Sequence, residues 1–157
     1  MVTVVTLSIL HRLILPSLIG YYEDECLLSD TKYEALKKLF QHIATLYDKL
    51  NQVYWVDYGL LLGYYRIKDV LPHDGDLDFT RVHFPSKEFE FNMAFYRMMR
   101  EFPETRGNTM FADMYVTGKD GERVHVTADL FRVQVEEIND KKFLFPYWNE
   151  QHREAAR

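Results

Sequence analysis

Asp74, Asp76 and Asp78 stand at alternate positions mid-chain, just after Pro72-His73 and framed by Val70, Leu71, Leu77 and Phe79. Carboxylates this close repel one another, so the cluster must either stay solvated or be neutralised by a cation. The apolar frame ties part of it to a packed element, which favours the cation. Hard oxygen ligands suit Mg²⁺ or Mn²⁺. Upstream, Gly59 and Gly63 bound an apolar turn and would let backbone approach a ligand closely. Arg66 and Lys68 follow and could pair with phosphate. Downstream, Asp129 sits in an apolar setting, Ala128-Asp129-Leu130-Phe131, where a buried carboxylate needs a partner. Asp76 and Asp78 on one strand face, joined by Asp129 from a neighbouring strand, would give a three-carboxylate metal site able to do phosphoryl-transfer chemistry. Asp74 can join only if its loop curls back.

Three aspartates in a loop also describe a solvated turn, so the loop alone does not decide. A calcium loop is the obvious rival and fails. Phe79 stands where its glycine is needed, and Pro85 where its bidentate glutamate belongs. His73, His83 and His125 lack metal-ligand spacing, and no serine or cysteine stands in a nucleophile setting.

The elements that must position these groups follow from pattern. Leu36, Leu39, Phe40, Ile43, Leu46, Tyr47 and Leu50 recur at three and four residues and predict a packing helix ending near Leu50, capped by Ser29 or Asp30. Val53–Tyr58 reads as a strand ended by Gly59, and Leu60–Tyr65 as a helical turn closing at Arg66. Leu77–Val82 is a second strand with Asp76 and Asp78 at its start; residues two apart share a face. A helix is expected from Lys87 to about Arg100, capped by Ser86, with Phe89, Met93 and Tyr96 buried. Met110–Thr117 and Glu122–Val135 read as strands joined at Gly118-Lys119-Asp120-Gly121. Asn139–Lys142 then turns into a last strand, Phe143–Phe145. The order predicts an α/β (α+β) domain, a mixed β-sheet flanked by helices.

The chain has 157 residues, 47% hydrophobic and 27% charged, which fits one globular domain with a real core. A net charge of -5 argues against nucleic acid as a partner. Cys26 is alone, which excludes an intrachain disulfide and a thiolate zinc site. Residues 1–28 form an apolar segment and an acidic linker. Val2–Ile19 is interrupted by His11 and Arg12 and broken by Pro16, a poor membrane anchor. Membrane association through it stays open beside burial or cover by a partner. Residues 29–157 are read as the folded domain, with truncation at its C-terminus left open.

The central segment resembles the LicD family, which includes fukutin and fukutin-related protein. That family shows a hydrophobic strand, Gly-(Ser/Thr)-Leu-Leu-Gly, an arginine, and hydrophobic-Pro-Trp-Asp-x-Asp-hydrophobic-Asp. Here Gly59-Leu60-Leu61-Leu62-Gly63, Arg66 and Leu71-Pro72-His73-Asp74-Gly75-Asp76-Leu77-Asp78 fall in register without a gap. Ala128-Asp129-Leu130-Phe131 is similar to a later family element. The resemblance implies a nucleotidyltransferase-like fold. It also implies transfer of a phospho-substituent, phosphocholine or ribitol phosphate, from a CDP-activated donor (CDP-choline or CDP-ribitol) to a glycan. Asp76, Asp78 and Asp129 would be catalytic and would hold the Mg²⁺ or Mn²⁺. Gly59, Leu60, Gly63, Arg66, Lys68 and Asp74 would line or support the donor site. A fukutin-like protein would work in a secretory-pathway lumen such as the Golgi; otherwise the cytoplasm is expected. Two departures matter: Leu60 replaces a Ser or Thr whose hydroxyl could hold a phosphate, and His73 replaces the usual Trp. They leave open a catalytically degenerate nucleotide- or glycan-binding member, or a nucleotidyltransferase with another acceptor.

Overall fold

The computed structural model describes residues 28–146. Expectations for the N-terminal segment and for the chain beyond residue 146 lie outside those residues. Helix α1 (Asp30–Lys49) begins as predicted: Ser29 Oγ accepts the Lys32 amide, and Leu36, Leu39, Ile43, Leu46 and Tyr47 form its buried stripe. Strand β1 (Tyr54–Val56) leads into helix α2 (Tyr58–Ile67), and strand β2 (Asp76–Val82) follows the carboxylate loop. A 3₁₀ turn at Pro85–Lys87 precedes helix α3 (Glu88–Met99). Strands β3 (Thr105–Gly107), β4 (Phe111–Thr117), β5 (Arg123–Ile138) and β6 (Lys141–Pro146) complete the order.

The sheet runs β1-β2-β5-β4-β3, with β6 paired to the far half of β5. β2 and β5 are parallel; every other pair among the described residues is antiparallel. The mixed sheet and flanking helices agree with the predicted fold class. Strand alternation separates two faces. Leu77, Phe79, Ala112, Met114, Val126, Ala128 and Leu130 turn one way and join the stripe of α1 in a single core. The intervening residues of β2, β4 and β5 turn the other way, and they include the carboxylates.

Several expectations need correction. Gly59 does not end a strand but lies in the first turn of α2, which is longer than a single turn because Asp57 caps it. On α3 the buried residues are Phe91, Phe95, Met98 and Met99, whereas Phe89, Met93 and Tyr96 are exposed. Both sets are spaced at i, i+4, i+7, so periodicity cannot choose between them. Glu88 chooses: its carboxylate grips Arg81 on β2, with Oε1 2.7 Å from one guanidinium nitrogen and Oε2 3.2 Å from the other. That contact sets the rotation of α3, and Phe91 then lies under the same guanidinium, 4.0 Å away. Ser86 makes no cap, and β3 had no advance signal. β6 is longer than Phe143–Phe145, its turn made by Asn139 and Asp140 at φ of 52° and 59°.

Candidate functional site

Asp57 starts the site. Its Oδ1 accepts the Tyr58 amide at 3.1 Å, and its own amide donates to the Asp78 carbonyl at 3.0 Å. The amino end of α2 is thereby pinned beside β2 at the level of Asp78. Gly59 and Gly63, four residues apart, lie on the same side of α2, and the return loop lies against that side. A methyl group on Gly63 would stand 2.5 Å from the Asp69 carbonyl oxygen; one on Gly59 would stand 2.0 Å from the Asp74 carboxylate. The paired glycines therefore make a groove that receives the carboxylate-bearing loop, a packing role that spacing alone did not reveal. Leu60 is buried in the core, so its side chain faces away from the open sheet face and any contact with a donor would be through backbone.

Asp76 and Asp78 alternate with fully buried Leu77 and Phe79 and so share the open face. Asp129 stands opposite Asp78 across the parallel pair and opposite Phe111 across the antiparallel one. Parallel register thus puts all three on one face. Asp129 is exposed rather than buried; Ala128 and Leu130 carry the burial of that apolar stretch, and alternation sends the carboxylate to the other side. Asp74 does curl back. Its amide bonds the Leu71 carbonyl at 3.1 Å, and its Oδ2 is buried without a hydrogen-bond partner.

The electrostatics are those of crowded negative charge. Burial, with the neighbouring Asp76, Asp129, Asp74 and Asp57 carboxylates, pushes Asp78 up to about 6. Burial, then the charge of Asp76 and a shared hydrogen bond with it, raises Asp74 as well. Among the described residues, none of Asp74, Asp76, Asp78 or Asp129 is in a salt bridge. Oxygen donors with uncompensated charge and an orphaned buried carboxylate oxygen are the donor chemistry a hard divalent cation seeks. Among the described residues, however, no three His, Cys, Asp or Glu side chains gather into a ready-made metal cage. Magnesium does not need one: it is commonly held by one or two carboxylates, with waters and substrate phosphates completing its shell.

Arg66 and Lys68 lie at the other end of α2 from the Asp57 cap. They are exposed at the carboxyl end of α2, roughly 10 Å (Arg66) and roughly 14 Å (Lys68) along the helix axis from Gly59 at 1.5 Å per residue. Lys68 Nζ lies 4.5 Å from the Tyr64 ring centre, beside a cleft of about 800 Å³ lined by Trp55, Leu60, Tyr64 and Val70 among others.

Sequence reasoning missed Asp57, Thr80 and Trp55. Asp57 Oδ2 accepts from the Thr80 hydroxyl at 3.0 Å and from the Trp55 indole at 3.3 Å, tying β1, β2 and α2 together next to Asp78. The available signal was an aspartate immediately before a helix, hidden by reading Gly59 as a strand end. Also missed was the anchor on the opposite face. Arg81 is almost fully buried, and Glu88 accepts from Arg81, from Arg132 at 3.2 Å, and lies 2.8 Å from His83 Nδ1. Burial works against ionising Glu88, yet the Arg81 hydrogen bonds and charge, with His83, hold its carboxyl below the usual range. No local pattern announces such a network.

Residues 51–155 match the model of the LicD/FKTN/FKRP nucleotidyltransferase domain. The match begins just before β1 and takes in α2, the carboxylate loop, β2 and Asp129. No curated protein gives a significant match to the chain. Among the described residues no helix is long and apolar enough to cross a membrane.

Proposed function

Because the chain belongs to the LicD/FKTN/FKRP nucleotidyltransferase domain family, whose role is that of a phosphotransferase-like transferase, we propose that it moves a phospho-substituent from a CDP-activated donor to a glycan hydroxyl. The observation that carries this reading is the register of the parallel β2–β5 pair. It sets Asp78 opposite Asp129 on the open face, with Asp76 one step along the same face. Asp76, Asp78 and Asp129 would hold Mg²⁺ or Mn²⁺. The chemistry such a cation would supply there is neutralisation of charge on the donor diphosphate and on the departing CMP. The acceptor hydroxyl attacks the phosphorus bearing the head group, the bond to CMP breaks, and the hydroxyl proton passes to a carboxylate of the cluster. Asp74, seated on Gly59, holds the loop that leads into Asp76. Asp57 fixes the amino end of α2 beside Asp78, where the free amides of the first turn favour an anion. Arg66 and Lys68 would meet a donor only at its far end.

Two observations favour a second reading. The carboxylates are not gathered round a metal position, and Leu60 offers no hydroxyl. A non-catalytic nucleotide- or glycan-binding member would share both features. Calorimetric titration of CDP-choline and CDP-ribitol into the purified chain, with Mg²⁺ and then with EDTA, tests the proposal. Mg²⁺-dependent binding and multiple turnovers onto a glycan support the transferase, with Asp76→Asn abolishing turnover in a folded chain. Unchanged turnover in that variant would sink the assignment; binding without turnover would leave the second reading.

A further inference from the structure

Tyr58 adopts φ of 45°, a left-handed backbone that bulky L-residues rarely take. Strain of this kind persists only when something holds it or uses it. Burial of the ring does not explain it, because Tyr58 is 67% exposed. The ring instead makes an edge contact with Phe131, centroids 5.5 Å apart and planes at 63°. Tyr58 follows β1, Phe131 belongs to β5, and β2 lies between those strands. The pair therefore bridges over β2, at the level of Asp78 and Thr80. Phe131 is the register partner of Thr80 and lies two residues beyond Asp129 on the same face. Thr80 points to the open face yet is only 3% exposed, as a cover of this kind requires. The strained backbone thus sets an exposed aromatic ring beside the carboxylate-bearing strand.

We propose that the exposed ring of Tyr58, held by its edge contact with Phe131, is the platform on which the cytosine base of the donor stacks. This rests on the CDP-donor reading above and adds the residues that would select the nucleotide. Cytosine is the planar part that every CDP donor carries, and base-on-aromatic stacking is tolerant of what else is attached. The platform lies within a few residues of Asp78 and Asp129, so a base held there leaves its phosphates over the carboxylates.

The test titrates CMP, CDP-choline and, separately, phosphocholine into the full chain and its Tyr58→Gly, Tyr58→Phe and Phe131→Ala variants, all with Mg²⁺. Tyr58→Gly is expected to weaken CMP binding at least about tenfold while leaving phosphocholine binding unchanged. Tyr58→Phe keeps the ring and should bind CMP as the parent does. Glycine takes positive φ without strain, so Tyr58→Gly should melt at the same temperature or higher. Equal CMP affinity in Tyr58→Gly, or an equal loss of phosphocholine, overturns the platform. A parent chain that binds no CDP compound defeats the donor reading itself. A parent that binds one, with Tyr58→Gly indifferent, defeats only the platform. Should Phe131→Ala alone fail to fold, the contrast between Tyr58→Gly and Tyr58→Phe still decides.

Discussion

Replacing Asp78 by Asn should make the protein more stable and less functional at once. Asp78 is raised from 3.8 to about 6 by partial burial and by surrounding carboxylates. A raised carboxyl prefers its proton in the folded state. Its stabilising contribution is therefore fully present below about pH 3.8 and is lost as the pH climbs through about 6. At 1.36 kcal/mol per pKa unit the ceiling on that loss is about 3 kcal/mol. Asp78 keeps contact with solvent, and screening reduces the figure to about 1–1.5 kcal/mol. Asparagine keeps the shape without the charge. In EDTA at about pH 8, Asp78→Asn should melt about 2–6 °C above the parent, since 1 kcal/mol moves the midpoint of a domain this size by about 2–4 °C. The difference should shrink steadily below about pH 6 and vanish near pH 4, where both side chains are neutral. Thermal unfolding followed by circular dichroism across that range is the assay. Adding Mg²⁺ should raise the melting temperature of the parent and not of the variant. A variant less stable than the parent at the alkaline end, or a difference that does not change with pH, would refute the crowding argument.

Gly63→Ala sets a methyl group 2.5 Å from a backbone carbonyl and should cost about 1–3 kcal/mol in urea unfolding. Gly59→Ala meets only the tip of the Asp74 side chain, so it should cost less stability while displacing Asp74, seen as weaker donor binding in calorimetry. Glu88→Gln removes the counter-charge of buried Arg81 and should destabilise by about 3 kcal/mol or more; a neutral result in urea unfolding would show that a side-chain amide at this position satisfies the guanidinium without a charge. The Glu88 carboxyl is held low, mainly by Arg81 against the opposing effect of burial, while burial depresses His83. Both contributions are full above their ordinary values, near 6.5 for the histidine and 4.5 for the glutamate, and erode as the pH falls. Below about pH 4.5 the stability of the parent should therefore fall with pH more steeply than that of Glu88→Gln, although the variant is the less stable of the two at neutral pH; urea unfolding at each pH is the check.

What could be read in advance was whatever a local pattern specifies. The stripe of α1, the Ser29 cap, the Gly118–Gly121 turn and the pairing of Asp76 with Asp78 on one face all follow from neighbouring residues and the two fixed periodicities. What could not be read depends on contacts far apart in sequence. α3 carries two apolar stripes of equal spacing, and only Glu88 meeting Arg81 decides which is buried. Asp129 looked buried because its neighbours are; the alternation that exposes it was visible, but which side of β5 met the core was not. Gly59 and Gly63 were legible as close-approach glycines. The body approaching them is the chain's own loop, which no spacing rule distinguishes from a ligand.

The two faces of the sheet solve opposite problems with the same residue types. On the core face, Glu88 is surrounded by Arg81, His83 and Arg132, and the negative charge is held ionised by its partners. On the open face, Asp74, Asp76, Asp78 and Asp129 make no salt bridge among the described residues, and the carboxyls of Asp74 and Asp78 are held above their ordinary value. β2 passes through both settings between Asp76 and Arg81. A strand that needed charge only for solubility would have no reason to concentrate carboxylates where they raise the affinity of Asp74 and Asp78 for protons, beside a partner network that shows how the same fold neutralises charge when it can. The deficit on the open face is thus a property of the site. A positively charged ligand, such as the cation that accompanies a nucleoside diphosphate, is what would relieve it. Adding such a cation should flatten the decline in stability between about pH 4 and pH 7 that Asp78 imposes, and a decline that persists unchanged in saturating Mg²⁺ would mean that the carboxylates answer to something else.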